Sequence, residues 1–436
     1  MGGSEEISIT LIEEGRDCDA PKGSGGDGGA TSAQTVGNIV ISILGTGVLG
    51  LPYAFRFAGW LSGSIVVTIV GIVIYYCMML LIQCRKKVEQ ENSSIRCYTL
   101  GDLGAAAFGT WGRYVTEFLV FISYAGGSVA SLLFVGHNLS SLFTFHHRPI
   151  PASAFVFLIL LPVQVALSFI RSLSVLAPFS AFADVCLVLA IAIVLSEDVR
   201  QLRVNNSNYH DHGGALAFRG FWGSSSAAGV ATFCYDGFGM TLALESSMAE
   251  RRRFPWVLFQ ALFGVTSAYI FFGAFGYLAF VDDTRDVITL NLSDAWPATV
   301  VKVGLCIAIA LSLPTTLRPI NEIIETKMEA SRWFHKLCIG SPSKNRAGLQ
   351  AVRLLVIVIL AIVATSVPGF TEIISFTGGT VCALLSFVLP AMFHLKLMGL
   401  SLTLWQRVVD YIVLCIGFLF TGYSTYATIS GQAMGS

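Results

Sequence analysis

Charge is scarce in this chain. Only 12% of its 436 residues are Asp, Glu, Lys or Arg, while 54% are hydrophobic. Soluble domains carry roughly 25% charged residues, so a globular surface cannot be covered and the composition is that of an integral membrane protein. The formal net charge is +0, without the basic surplus that binding a nucleic acid demands. The ten cysteines are scattered, most of them in apolar runs (Cys77, Cys186, Cys234, Cys306, Cys382, Cys415), and no CxxC or Cys/His cluster occurs. A disulfide framework, a zinc site or a resident cofactor is therefore not expected. Neither HExxH nor GxSxG is present, and no His sits in a cluster of acids, which argues against an enzyme. Residues 1–34 lack an apolar run, so no cleavable signal peptide is expected. Their glutamates (Glu5, Glu6, Glu13, Glu14) and the glycine-rich run Gly23–Gly29 cannot bury a core and read as a disordered tail.

What the chain has in abundance is long apolar runs. About 20 such residues cross a bilayer. By that test there are eleven crossings, near 35–58, 60–84, 111–142, 151–170, 173–196, 223–249, 254–281, 296–319, 350–367, 369–395 and 404–430. Residues 35–430 thus read as one all-α transmembrane domain embedded in the lipid bilayer. A short helix near 99–108 is expected to lie along the membrane surface before the third crossing. Most Lys and Arg between crossings fall on one side, which the positive-inside rule makes cytosolic. The N-terminus is then cytosolic and, after eleven crossings, the C-terminus is extracytosolic.

The first crossing carries Gly45-Thr46-Gly47-Val48-Leu49-Gly50-Leu51-Pro52. Glycine costs up to about 1 kcal/mol against Ala inside a helix, so this density of glycine predicts an interruption. The sixth crossing carries Phe233-Cys234-Tyr235-Asp236-Gly237-Phe238-Gly239. The two GxG pairs are five crossings apart, and an odd number makes the two halves inverted. Repeats near 35–196 and 223–395 follow, with 404–430 as an extra helix. Interruptions at corresponding places of two halves point to a transporter site. The plainer alternative is glycine that only lets helices pack closely.

These residues also carry a resemblance. Gly45-Thr46-Gly47-Val48-Leu49-Gly50-Leu51-Pro52-Tyr53-Ala54 with Ala58-Gly59-Trp60 resembles the first helix of the amino acid/auxin permease family. Asp236 through Met248 is similar to the sixth-helix motif of its proton-coupled amino acid transporters, and Thr289-Leu290-Asn291-Leu292 is similar too. Thr31–Thr35 and Cys77–Leu81 look most like the plant branch of vacuolar and aromatic or neutral amino acid transporters. The resemblance implies the LeuT-type fold of the APC superfamily, a 5+5 inverted repeat with broken helices 1 and 6. It also implies secondary active transport of amino acids, often driven by protons, in a vacuolar or other endomembrane or in the plasma membrane.

A zwitterionic amino acid would need donors for its carboxylate. The backbone N–H groups of Thr46, Gly47 and Val48 are placed to supply them, with Gly45 leaving the backbone bare. Its ammonium would need acceptors, which the freed carbonyls of Ser42, Ile43, Phe233, Cys234 and Tyr235 offer. Gly127, Ser128 and Ser131 share one face of the third crossing and leave room for a large side chain. Phe233, Tyr235 and Phe238 suit offset stacking with an aromatic substrate. The plain reading of that face is a packing groove.

Asp236, an ionisable group in a membrane break, is the candidate for proton coupling. Glu245, Asp184 and His137 can equally be structural. Asn38 stands where some proton-coupled members carry His, so a facilitative mode stays open. Sodium coupling would use hydroxyls of the eighth crossing, Ser312 and Thr315. A sensor of the same fold is the remaining alternative.

Overall fold

The computed structural model describes residues 30–91, 99–145, 148–169, 173–205, 216–292, 296–329, 342–367 and 369–430. The first helix begins inside the stretch read as tail. The Thr31 hydroxyl accepts from the Gln34 N–H, and the Gln34 side chain accepts from the Thr31 N–H. This reciprocal cap starts α1 (Ser32–Ile43). The rest of the tail, residues 1–29, lies outside the described residues. After Leu44 and Gly45 the chain resumes as a 3-10 turn (Thr46–Gly50) and α2 (Leu51–Ala58), bent by 53° from α1.

α3 spans Trp60–Glu91 and α4 spans Leu100–Leu142. Gly109, at φ 67°, breaks α4 near its start, a conformation that suits glycine. Residues 100–108 therefore form the short separate helix expected before the third crossing. A two-residue antiparallel pair, β1 (Thr144–Phe145) and β2 (Arg148–Pro149), joins α4 to α5 (Ala152–Ser168). Then come α6 (Leu173–Asn205), α7 (Phe221–Cys234), α8 (Phe238–Ser247) and α9 (Phe254–Phe280). The rest are α10 (Trp296–Thr316), α11 (Arg318–Glu329), α12 (Pro342–Ser366), α13 (Phe370–Met398) and α14 (Leu404–Ile429).

Among the described residues nine helices are long and apolar enough to cross a membrane, or ten when the bent pair of α1 and α2 counts as one. α5, read as the fourth crossing over 151–170, falls short of that test. Pro151 caps its start and Phe169 its end, so it lacks the length of the others.

Backbone bonds stitch the two interrupted helices together at both ends. On the N-terminal face, Ala30 N–H donates to Ser247 O at 3.0 Å and Ala249 N–H to Ala30 O at 3.1 Å. On the opposite face, Arg219 N–H donates to Ala58 O at 2.9 Å. Beside it, the Trp60 and Ser62 N–H groups reach Leu216 O and Ala217 O, each at 3.2 Å. Gly59 turns there at φ +97°, and a Cβ on it would stand 2.5 Å from Ala217 O. The first interrupted helix thus lies antiparallel to the second.

Two buried polar clusters brace this frame. Arg85, 2% exposed, pairs with Glu245 at 2.8 Å and donates to Leu242 O at 2.7 Å, joining α3 to α8. Glu245 is thus paired within the frame. Further along α3, Tyr76 Oη donates to Asp410 Oδ1 at 2.7 Å, and His394 Nδ1 lies 2.6 Å from Asp410 Oδ2. His394 Nε2 reaches Gln83 Oε1 at 3.1 Å, so the cluster ties α3, α13 and α14. His394→Ala leaves a buried carboxylate short of its partner and is expected to cost roughly 3 kcal/mol. The check is the unfolding midpoint in detergent. Replacing His394 and Asp410 together should cost less than the two single changes combined.

Candidate functional site

The two interruptions face each other. A Cβ added at Gly47 would stand 2.9 Å from the Phe233 ring and 3.1 Å from Cys234 Sγ. A Cβ added at Gly237 would stand 2.9 Å from Ile43 Cγ1. Each break's glycine is thus the surface on which the other helix's end rests. Gly45 is the exposed member of its pair, and a Cβ there would meet nothing within 4 Å. Thr46 and Gly47 open the 3-10 turn, where backbone N–H groups have no partner inside a helix.

The carbonyls are less free than the sequence suggests. Phe233 O accepts from Asp236 N–H at 3.1 Å and Tyr235 O from Gly237 N–H at 2.7 Å. Ile43 O and Cys234 O share one donor. The hydroxyl of Tyr269, on α9 and fully buried, lies 3.1 Å from the first and 2.9 Å from the second. Each carbonyl keeps a second lone pair for a ligand.

Asp236 occupies the second break. Ser123 Oγ donates to its Oδ2 at 2.6 Å, and Cys382 Sγ stands 3.8 Å from the same oxygen. Ser123 and Gly127 are one turn apart on α4. A Cβ on Gly127 would stand 3.9 Å from Phe233 Cζ, an ordinary contact. Phe233 therefore sits between the first break and the α4 face. Ser128 Oγ donates to Tyr124 O and Ser131 Oγ to Gly127 O, at 2.8 and 3.0 Å, so both hydroxyls are turned onto their own helix. Tyr235 turns the other way: its hydroxyl meets Thr266 Oγ1 at 2.6 Å and its ring meets Tyr269 edge-on at 5.2 Å. Phe238 is buried. Ser312 Oγ donates to Ile309 O within α10, and the buried Thr315 hydroxyl has no partner among the described residues.

A cavity of about 10 Å³ lies between the breaks, lined by Ser42, Ile43, Met78, Gly237 and Thr241. That is room for one water. A larger cavity of about 350 Å³ opens toward the N-terminal face between α4 and α11, with Glu117, Phe118, Phe121, Ile324, Lys327 and Met328 around it. Lys327 Nζ lies 3.1 Å from Glu117 Oε2 at this cavity.

The profile of the transmembrane amino acid transporter protein family matches residues 28–430. The chain belongs to that family. It is 48% identical over 413 residues to the amino acid transporter ANT1 of Arabidopsis thaliana, covering 94% of each chain. It is 27% identical to the vacuolar amino acid transporter 3 of Schizosaccharomyces pombe, covering 92% of this chain and 58% of that one. Among solved structures, a Na+-coupled sialic acid symporter in a substrate-bound outward-open state superposes with a TM-score of 0.52. Its identity is 11%, over 97% of this chain and 95% of the other. At that identity the likeness concerns the fold alone: an all-helical membrane transporter.

For an amino acid transporter, four residues at the breaks escaped the sequence reading: Ser123, Tyr124, Tyr269 and Cys382. Ser123 was within reach, since it continues the Gly127 and Ser131 face by one turn. Tyr124 places its hydroxyl 3.2 Å from where a Cβ on Gly239 would be. Cys382 ends a π turn, Gly378–Cys382, and such turns gather at functional sites. Tyr269 sits in an apolar run with nothing in its neighbours to mark it.

Proposed function

We propose that the protein moves large neutral and aromatic amino acids across an endomembrane, coupled to protons, by alternating access between its two faces. The observation that carries this reading is the pair of breaks that rest on each other, with Asp236 in one and Gly47 in the other. The carboxylate of the substrate binds the N–H groups of Thr46 and Gly47, and its ammonium takes the second lone pairs of Ile43 O and Cys234 O. Phe233 and the bare face at Gly127 receive the side chain. Asp236 is the proton-coupling group. Its contact with Ser123 ties its charge state to α4 and so to the wall of the pocket.

The membrane is traversed eleven times when α5 counts, with the N-terminus cytosolic and the C-terminus extracytosolic. Repeats near 35–196 and 223–395 are inverted, and α14 is the addition. The antiparallel stitching of the two broken helices at both ends supports that symmetry. The vacuolar name of the fission yeast relative supports an endomembrane.

The test is uptake of labelled phenylalanine into proteoliposomes under an imposed pH gradient and, separately, a sodium gradient. Uptake several-fold higher with the pH gradient is expected. Asp236→Asn should lose that stimulation while still exchanging substrate across the membrane. Uptake that ignores pH and follows sodium would move the coupling role to Ser312 and Thr315. Binding without flux would leave a sensor.

A further inference from the structure

Unlike Glu245 and Asp410, one buried acid lacks a hydrogen-bond or ion-pair partner among the described residues: Asp198. Asp198 lies two turns before the end of α6, on the face opposite the N-terminus. It is 0% exposed, and among the described residues neither of its carboxylate oxygens has a hydrogen-bond partner. Its surroundings are packed. A Cβ on Gly276 of α9 would stand 3.5 Å from Asp198 Oδ2 and 2.7 Å from Pro52 Cγ of α2. Gly276 therefore marks the point where α6, α9 and the second half of the first broken helix converge. Val194, one turn before Asp198, and Tyr277, next to Gly276, are fully buried as well.

The charged groups on neighbouring elements are engaged elsewhere. Arg200 pairs with Glu197 on α6 itself at 3.7 Å. Arg56 of α2 donates to Thr284 O at 2.9 Å. Beyond α9, Asp282 takes Arg219. Tyr277 Oη accepts from Leu216 N–H at 3.2 Å. Tyr53 stacks edge-on against Phe57 on α2. Lys302 of α10 is buried and is itself engaged.

We infer that Asp198 is a proton-binding site, occupied while α6 is packed against the α2–α9 junction and emptied when that junction opens. An ionised carboxylate without donors in such a place costs several kcal/mol, and no hydrogen bond among the described residues offsets that cost. The neutral carboxyl carries a far smaller penalty. Among the described residues no group of three His, Cys, Asp or Glu side chains could hold a metal ion, so the lone carboxylate fits a proton and not a metal cation. Parting α6 from α2 and α9 admits water, and the proton leaves as the carboxylate becomes hydrated. One proton of difference between two conformations shifts their ratio by up to about tenfold per pH unit. Acid on the face opposite the N-terminus then favours the closed junction. This rests on the transport reading for the motion it invokes, but not for the presence of the proton.

Infrared spectroscopy of the reconstituted protein at neutral pH tests it directly. A carbonyl stretch of a protonated carboxyl is expected in the protein, missing from Asp198→Asn and retained in Asp236→Asn. Asp198→Ser supplies a second subtraction should the Asn variant misfold. A band unchanged by both Asp198 substitutions would overturn the proposal, as would the absence of any such band. Uptake of phenylalanine by the same proteoliposomes keeps the two readings apart. Flux without the band sinks only the proton site, and the band without flux sinks only the transport reading.

Discussion

Gly47→Val is expected to lower amino acid uptake by about a hundredfold while the protein still folds and inserts. The position has no room. A first carbon there already meets the Phe233 ring at 2.9 Å and Cys234 Sγ at 3.1 Å, and valine adds two more. Overpacking of this kind costs about 1–3 kcal/mol. Relief has to come from Phe233 and Cys234, the residues proposed to shape the pocket, so the cost falls on binding. Gly47→Ala should lie between, at about a tenfold loss. Gly45→Ala is the control for folding: its backbone is extended and the space around it is open. Equal initial rates for Gly47→Val and the parent protein, measured with labelled phenylalanine at matched protein levels, would remove the first break from the site.

Tyr269→Phe is expected to reduce uptake by at least tenfold. The hydroxyl serves Ile43 O and Cys234 O, one from each broken helix. Phenylalanine keeps the ring and its packing against Tyr235 but leaves two buried acceptors, each costing about 1–3 kcal/mol when unserved. One hydroxyl hydrogen cannot satisfy both carbonyls at once, so a substrate ammonium entering here completes the set. The variant should therefore lose affinity for amino acids more steeply than for their N-acetylated forms, which carry no such charge. Tyr277→Phe is the comparison, eight positions along the same helix, where the hydroxyl only accepts from Leu216 N–H. Identical losses in the two variants would assign the effect to general loosening of α9.

The breaks themselves were legible because glycine in a long apolar run conflicts with the helix around it. The same holds for the short helix before Gly109, whose start is written in Thr99 and Asp102, a reciprocal cap seen in the structure. The partners of the breaks were not legible. Tyr269 meets Ile43 across 226 residues, and apolar periodicity says that a side chain is buried without saying which oxygen it meets. Tyr235 shows the opposite failure. Its place beside Asp236 suggested the pocket, yet its hydroxyl goes to Thr266 in α9, because adjacent residues at a helix end point to different sides. Asp198 passed unnoticed because it follows Glu197 near the end of a helix, where paired acids usually face water.

The stitching of the two broken helices bears on how the chain is made. Ala58 O, at the end of α2, takes the Ser62 hydroxyl and keeps its second lone pair for Arg219 N–H, and Ile43 O waits for Tyr269. Ribosomes add roughly 5–20 residues per second, so the first helix spends on the order of ten seconds or more in the membrane before its partners exist. During that interval its acceptors and the bare backbone at Gly45 are served by water or by the insertion machinery. A chain ending near residue 215 would hold its first helix in that state permanently, with water or the insertion machinery in the place of Tyr269 and Arg219.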